Sequence, residues 1–404
     1  MKTKIKTIDL FAGCGGLMDG FEQSGLYTTL ACVEWEKAPC DNLKKRLSEK
    51  WHYKDADLRV LRFDIQRTDE LFNGWENDSN YGSSYGLNNF VANNSIDLII
   101  GGPPCQAYSV AGRIRDPHNM KNDYRNYLFE SYLKVVNRYR PKAFVFENVP
   151  GILSARPNDK YIIDIIKEKF EQAGYVLLDD LKKAIIDFTE YGVPQNRKRI
   201  IILGLDKKAY PNAKELLELF YEKVLPKFKT KRKSTVREAI EDLPKLYPQS
   251  ENSNTKYSHT LAESKIANHL PRWHSKRDIE IFRLLAMDIE DGKFEYCSSE
   301  KLKKLYTEKT GKVSSVHKYH VLKWDEPSNL IPAHLYKDGL RHIHPDSAQA
   351  RSITVREAAR LQTFPDDYIF IGSQMDQFKM IGNAVPPLFS KKLAQAIYEL
   401  LFKD

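Results

Sequence analysis

Short, largely apolar runs recur through the first half of the chain, most of them followed by a segment with helical periodicity. Residues 5–11, 30–33, 96–100, 143–146 and 200–203 are such runs, too short for core helices, with polar residues such as Lys6, Asp9 and Asp97 only at isolated places. Residues 17–24, 37–50, 126–139 and 161–173 read as helices. In the last of these Ile162, Ile165, Ile166 and Phe170 share a face, and Gly174 stops the helix. Strands that are apolar on both faces must be covered on both. The pattern therefore predicts an α/β fold, a Rossmann-like and mostly parallel sheet between helix layers.

Residues 73–94 break the rhythm. They are rich in Asn, Gly, Ser and Tyr and read as a long surface loop between the third and fourth strands. Past residue 206 the alternation is lost, beginning with the basic run Lys227 to Lys233, and it returns near Ile353. The expected division is a large domain, residues 1–205 plus 351–404, and a smaller one, residues 206–350. An amphipathic helix over residues 388–402 closes the chain.

Composition narrows the class. The net charge of +9 favours an anionic partner, with nucleic acid the common one. No apolar run reaches the roughly 20 residues of a membrane helix, and no secretory leader is read at the N-terminus. The five cysteines, Cys14, Cys32, Cys40, Cys105 and Cys297, show no Cys-x-x-Cys spacing, so neither a disulfide framework nor a zinc knuckle is expected. His317 and His320 lack partnering ligands in sequence, and no metal site is expected.

The first strand runs into Asp9-Leu10-Phe11-Ala12-Gly13-Cys14-Gly15-Gly16. Glycines there permit a tight turn and close approach of a ligand to the backbone. Position 18 is Met, so the dinucleotide spacing Gly-x-Gly-x-x-Gly is absent and a nicotinamide dehydrogenase is disfavoured. Glu34, at the end of the second strand and roughly 20 residues past the glycines, suits a ribose diol. Trp35 suits stacking on an adenine, and Asp64 suits accepting from its amino group. Read singly, Glu34 and Asp64 are equally ordinary loop acids; with the glycine loop they point to an adenosine ligand.

The fourth strand ends in Gly101-Gly102-Pro103-Pro104-Cys105-Gln106. Glycines and prolines halt regular structure, which holds Cys105 on a stiff loop at the carboxyl edge of the sheet, where such sheets bind ligands. A cysteine in an arbitrary place is an inert small hydrophobe. This one has company. Phe146-Glu147-Asn148-Val149, Gln195-Asn196-Arg197-Lys198-Arg199, Arg356 to Pro365 and Gly382-Asn383-Ala384-Val385-Pro386 follow in order. Together with the glycine loop, these segments resemble the cytosine-5 DNA methyltransferase family of the bacterial restriction-modification type, over residues 5–205 and 351–404.

The resemblance implies a DNA (cytosine-5-)-methyltransferase using S-adenosyl-L-methionine. It implies Cys105 as the nucleophile at carbon 6 of the base, Glu147 at N3 and the exocyclic amine, and Arg199 at O2 with Arg197 close by. Cofactor contacts carry over to Phe11, Ala12, Gly13, Gly15, Glu34, Trp35, Asp64, Pro104, Leu128 and Asn383. Chemistry on a stacked base requires flipping it out. Gln106, Ser109, Arg113 and Arg115 are then DNA contacts of a closing loop, and residues 206–350 hold the target-recognition region. Lys231, Arg232 and Lys233 there suit phosphate contacts. Arg272, Lys276, Arg277 and Arg341 are candidate base or phosphate contacts between which the sequence does not choose. The implied setting is a monomer in the bacterial cytoplasm, on nucleoid double-stranded DNA, with a cognate restriction endonuclease. The competing readings are a tRNA cytosine-5 methyltransferase of the same fold and a catalytically silent DNA-binding relative. The length of residues 206–350 opposes the first, and an intact Cys105, Glu147 and Arg199 oppose the second.

Overall fold

The apolar runs form strands. In the computed structural model, which describes residues 4–91, 94–104, 128–156, 160–249, 257–261, 266–337 and 339–403, β1 (Ile5–Leu10) is almost wholly buried. It pairs in parallel with β2 (Tyr27–Glu34) on one side and with β6 (Leu98–Gly101) on the other. β3 (Val60–Arg62) follows β2, and β7 (Ala143–Asn148) follows β6, all parallel. The sheet order is β3-β2-β1-β6-β7-β10-β8. Order reverses between β1 and β6, and open α/β sheets take ligands at the carboxyl ends beside such a switch.

The far edge departs from a parallel sheet. β10 (Lys198–Asp206) runs antiparallel to β7, and the short strands β8 (Tyr175–Val176) and β9 (Ile185–Asp187) pair antiparallel to β10. Helices cover the faces. Tyr132, in the helix Leu128–Tyr139, donates to the carbonyls of Ile99 (3.2 Å) and Val145 (2.9 Å), fastening that helix across β6 and β7. Phe170 of the helix Ile162–Gln172 stacks on Phe144 with ring centroids 4.3 Å apart. The helix Gly16–Gln23 lies against the closing helix Pro387–Leu401 through glycine. A Cβ on Gly16 would stand 2.2 Å from the Val385 carbonyl, and one on Gly20 would stand 2.5 Å from that of Pro387. Tyr27 also donates to the Ala394 carbonyl at 2.8 Å.

Residues 73–94 are not the structureless loop expected. They contain β4 (Trp75–Asp78) and β5 (Gly82–Ser84), an antiparallel pair, and the helix Gly86–Val91. Trp75 stacks on Phe63 with centroids 3.8 Å apart, and Tyr81 meets the same ring edge-on. Asp78 Oδ1 closes the turn by accepting from the amides of Asn80 and Tyr81. One buried ring on a ribbon this short leaves no alternation to read.

Contacts divide the chain into two units, residues 1–191, 197–231 and 384–404 in one, and 192–196 and 232–383 in the other. This differs from the expected boundaries at 206 and 350. Residues 206–231 stay with the sheet because the Tyr221 hydroxyl accepts from the Leu203 amide and donates to the Ile201 carbonyl. Residues 351–383 join the second unit, where Arg356 donates to the carbonyls of Ala267 and Tyr368 at 2.9 Å each.

The second unit packs Ile281, Phe282 and Leu285 of the helix Lys276–Glu290 on Leu302 and Leu305 of the helix Ser299–Thr310. Beside this core lies a buried polar network. Arg351 pairs with Glu357 through two bonds of 2.6 and 2.7 Å, and His344 stands 3.5 Å from the same carboxylate. Thr354 and Glu357 form a reciprocal cap on the helix Val355–Leu361. Gln195 and Gln362 bond to each other, and Gln195 also accepts from the Ile331 amide.

Burial holds His259 near a pKa of 4, and His274, His342 and His344 near 3. In an unfolded chain these side chains titrate near 6.5. The unfolded state then binds more protons between those values. The stability these neutral histidines contribute is complete above pH 6.5 and is lost as pH falls toward 4. These four histidines should contribute an uptake of about four protons to unfolding near pH 5, read by following each imidazole's titration in the native chain by NMR. An uptake near zero would show that these histidines titrate normally in the native state.

Candidate active site

The glycine loop leaves β1 with Phe11 at φ 56°, Gly13 at 55° and Gly15 at 82°, all left-handed. For Phe11 that conformation is uncommon and is held by its surroundings. The Ala12 amide donates to the Val33 carbonyl at 3.1 Å. Glu34 ends β2 and grips the loop. Its carboxylate accepts from the amides of Gly13 (2.9 Å), Trp35 (2.8 Å) and Glu36 (2.8 Å). Burial pushes this carboxyl above its usual range, against the pull of those amides. A Cβ on Gly13 would meet nothing within 4 Å, so the loop opens on free space. Trp35 follows, 47% exposed. After β3, Asp64 caps its own turn, Oδ1 accepting from the Gln66 amide at 3.0 Å. An open left-handed loop, an acceptor at the end of β2, an exposed aromatic ring and an acceptor past β3 fit an adenosine. They also fit a small aliphatic tail lying along the loop.

At the other side of the switch, Gly102, Pro103 and Pro104 continue β6. Asn148 fixes this turn, its side chain donating to the Pro103 carbonyl at 3.2 Å while its Oδ1 accepts from the Val149 amide. Glu147 lies beside it. Because β10 runs antiparallel to β7, Ile201 pairs with Glu147, which brings the start of β10 to the carboxyl end of β7. Arg199 Nε reaches Glu147 Oε1 at 3.0 Å, with side chains 14% and 13% exposed. Burial pushes the Glu147 carboxyl up, and the guanidinium groups of Arg199 and Arg197 pull it down without cancelling the rise. Arg197 is buried and donates to the Ala384 carbonyl at 3.0 Å. The pair offers a carboxyl that can hold a proton beside a fixed donor, which matches an amidine-like ring edge next to a carbonyl oxygen.

Two residues of this geometry escaped the sequence reading as individuals. One is Asn148, whose role appears only once β7 lies beside the proline turn. The other is Gly102. A Cβ there would stand 2.6 Å from Glu147 Oε2. Gly102→Ala should displace the carboxylate and lower the methyl-transfer rate by about 10²-fold, the scale of a 1 Å misplacement. Its thermal midpoint should stay near that of the parent chain. Full activity in this variant would show that the contact does not matter.

Cys105, Gln106, Ser109, Arg113 and Arg115 lie outside the described residues. Pro104 is half-buried, and Leu128 is buried at the start of its helix. Lys231 is exposed in the first unit, and Arg232 and Lys233 are exposed in the second, Arg232 paired with Glu238. Asn383 ends the helix Gln374–Asn383 of the second unit. Its neighbour Gly382 has a packing role, since a Cβ there would stand 2.4 Å from the Ala333 amide nitrogen.

The family model for the C-5 cytosine-specific DNA methylase matches residues 5–399. The chain belongs to this family. The methylase is 36% identical to Type II methyltransferase M.Bpa9945I of Bacillus paralicheniformis, over 98% of each chain. It is 30% identical to Type II methyltransferase M.AgeI of Thalassovita gelatinovora, over 97% of this chain and 99% of that one. Among solved structures it resembles a candidate DNA modification methyltransferase encoded within an Escherichia coli prophage. That likeness has a TM-score of 0.61 at 22% identity and covers 99% of this chain and 100% of the other. The S. pombe Dnmt2 methyltransferase gives 0.52 at 16% identity, covering 99% and 100%. The last two likenesses concern the fold. This methylase is thus a C-5 cytosine DNA methyltransferase of the restriction-modification type. Among the described residues, no helix is long and apolar enough to cross a membrane.

Proposed function

We propose that this methylase transfers a methyl group from S-adenosyl-L-methionine to carbon 5 of a cytosine turned out of a specific double-stranded DNA sequence. The observation that carries the reading is the Glu147–Arg199 pair, 3.0 Å apart, beside the proline turn that leads directly to Cys105. Phe11, Ala12, Gly13, Gly15, Glu34, Trp35, Asp64, Pro104, Leu128 and Asn383 hold the cofactor. When bound, S-adenosylmethionine supplies an electrophilic methyl group on its sulfonium.

The chain's own residues prepare the base. Carbon 5 of cytosine is a weak nucleophile. The Cys105 thiolate adds to carbon 6, and Glu147 gives its proton to N3, so the electron pair of the ring double bond gathers at carbon 5. Arg199 holds O2, with Arg197 keeping the strand start in place. Once carbon 5 carries the methyl group, its proton leaves and the thiolate departs from carbon 6. A free thiol has a pKa of about 8.5, so the site must favour its ionised form. Flipping costs a few kcal/mol of unstacking, recovered by contacts in the site. Gln106, Ser109, Arg113 and Arg115 close on the DNA, and Lys231, Arg232 and Lys233 contact phosphates. Residues 206–350 carry target recognition.

In this reading the chain works as a monomer on nucleoid DNA in the bacterial cytoplasm. It protects host sites from a cognate endonuclease. Labelled methyl transfer to duplex DNA, with the label recovered as 5-methylcytosine, is the expected result. Label found only in tRNA, or in no nucleic acid, would overturn the proposal.

A further inference from the structure

The second unit contains a cavity of about 330 Å³, within the range of small-ligand sites. It is walled by Arg272, Arg277, Lys312, Lys337 and Asp278, with Trp273 among them. Among the described residues four cations face one acid, and that acid is already paired, Asp278 with Arg277 at 3.0 Å. Arg272 spends its guanidinium on structure. It donates to the carbonyls of Leu335 (2.8 Å) and Tyr336 (2.6 Å), and so fixes the turn that presents Lys337. Lys312 stands just past Gly311, whose left-handed φ of 69° ends the helix Ser299–Thr310. Two exposed lysines on separately anchored turns thus converge on one cavity. Among the described residues neither has an ion pair.

Trp273 is 68% exposed. Its neighbours hold it there, Arg272 through the bonds above and buried His274 through the Ser352 amide at 3.2 Å. A large ring kept outward by two anchored neighbours is pre-arranged for contact. Two lysines gathered with no ion-pair partner among the described residues repel one another until an anion arrives. We propose that this cavity seats a phosphate of the DNA backbone, with Lys312 and Lys337 as its donors and Trp273 against the adjoining deoxyribose. The proposal rests on the reading of the substrate as duplex DNA and locates one of its anchors.

The test uses the full chain and a random-sequence duplex, with affinity measured across a salt series and tryptophan emission followed on binding. The K312A/K337A variant should bind at least about tenfold more weakly at low salt. Its log–log salt slope should be shallower by about one, since each phosphate contact contributes close to 0.9. DNA should quench emission in the parent chain, and W273F should lose most of that quenching. An unchanged slope in K312A/K337A with undiminished quenching in W273F would overturn the assignment. So would adenosine monophosphate quenching Trp273 while DNA leaves it untouched, because the cavity would then hold a free nucleotide. A parent chain that neither binds nor methylates duplex DNA would instead sink the functional reading itself.

Discussion

Cys105→Ser should abolish methyl transfer to DNA while the chain still binds S-adenosylmethionine. The reason is chemical. Addition to carbon 6 needs an anion, and a serine hydroxyl is not ionised at neutral pH, whereas a thiol titrates near 8.5 and is lowered readily by its setting. Removing the nucleophile of a covalent enzyme commonly costs on the order of 10⁶-fold, and a loss of at least about 10⁴-fold is expected here. Cofactor binding should survive because the loop from Phe11 to Gly15 and the Glu34 carboxylate that grips it belong to other strands. Initial rates with labelled cofactor, alongside equilibrium dialysis, make the comparison. Turnover within a hundredfold of the parent chain would leave no place for a covalent step.

The second large effect concerns Glu147. Glu147→Gln keeps the shape and the hydrogen-bonding capacity but removes the transferable proton, and the rate should fall by roughly 10²–10⁴-fold, the usual worth of general acid catalysis. Burial raises this carboxyl against the pull of Arg199 and Arg197. The acid form of the parent enzyme is therefore held to a higher pH than an ordinary glutamate allows, and activity should decline on the alkaline side as that form is lost. The residual rate of Glu147→Gln should lack this alkaline decline. An identical pH profile in the two chains would assign the decline to another group, Cys105 included, and take the acid role from Glu147.

What the sequence reveals follows where information sits along the chain. The glycine loop, Glu34 and Glu147 each stand at the end of an apolar run, so a reader who finds the strands finds them, while Asp64 follows a short strand broken by Arg62. The β10 strand was visible as an apolar run, but its direction was not. That direction carries Arg199 to Glu147, while Gly102 meets the carboxylate through the parallel pairing of β6 with β7. The ribbon Trp75–Asp78 with Gly82–Ser84 was hidden because its stability comes from Phe63, a residue on another element. The buried set of His344, Arg351 and Glu357 was hidden for a related reason. Each alone reads as a surface residue, and only their mutual bonds permit burial. Arg272 and Arg341, two of the four candidate DNA contacts, both donate to backbone carbonyls.

The seam between the helix Gly16–Gln23 and the closing helix Pro387–Leu401 has a consequence in time. The Tyr27 hydroxyl and the Ala394 carbonyl it meets are 367 residues apart. At the usual pace of synthesis, about 5–20 residues per second, the first helix waits roughly 20–70 s on the ribosome before its partner exists. During that interval Gly16 and Gly20 present a bare groove, and the loop they support has nothing behind it. The loop therefore gains its backing only after residues 387–401 have been synthesised. Ribosome-bound fragments should be blind to the methyl donor, however much of the sheet they have already assembled.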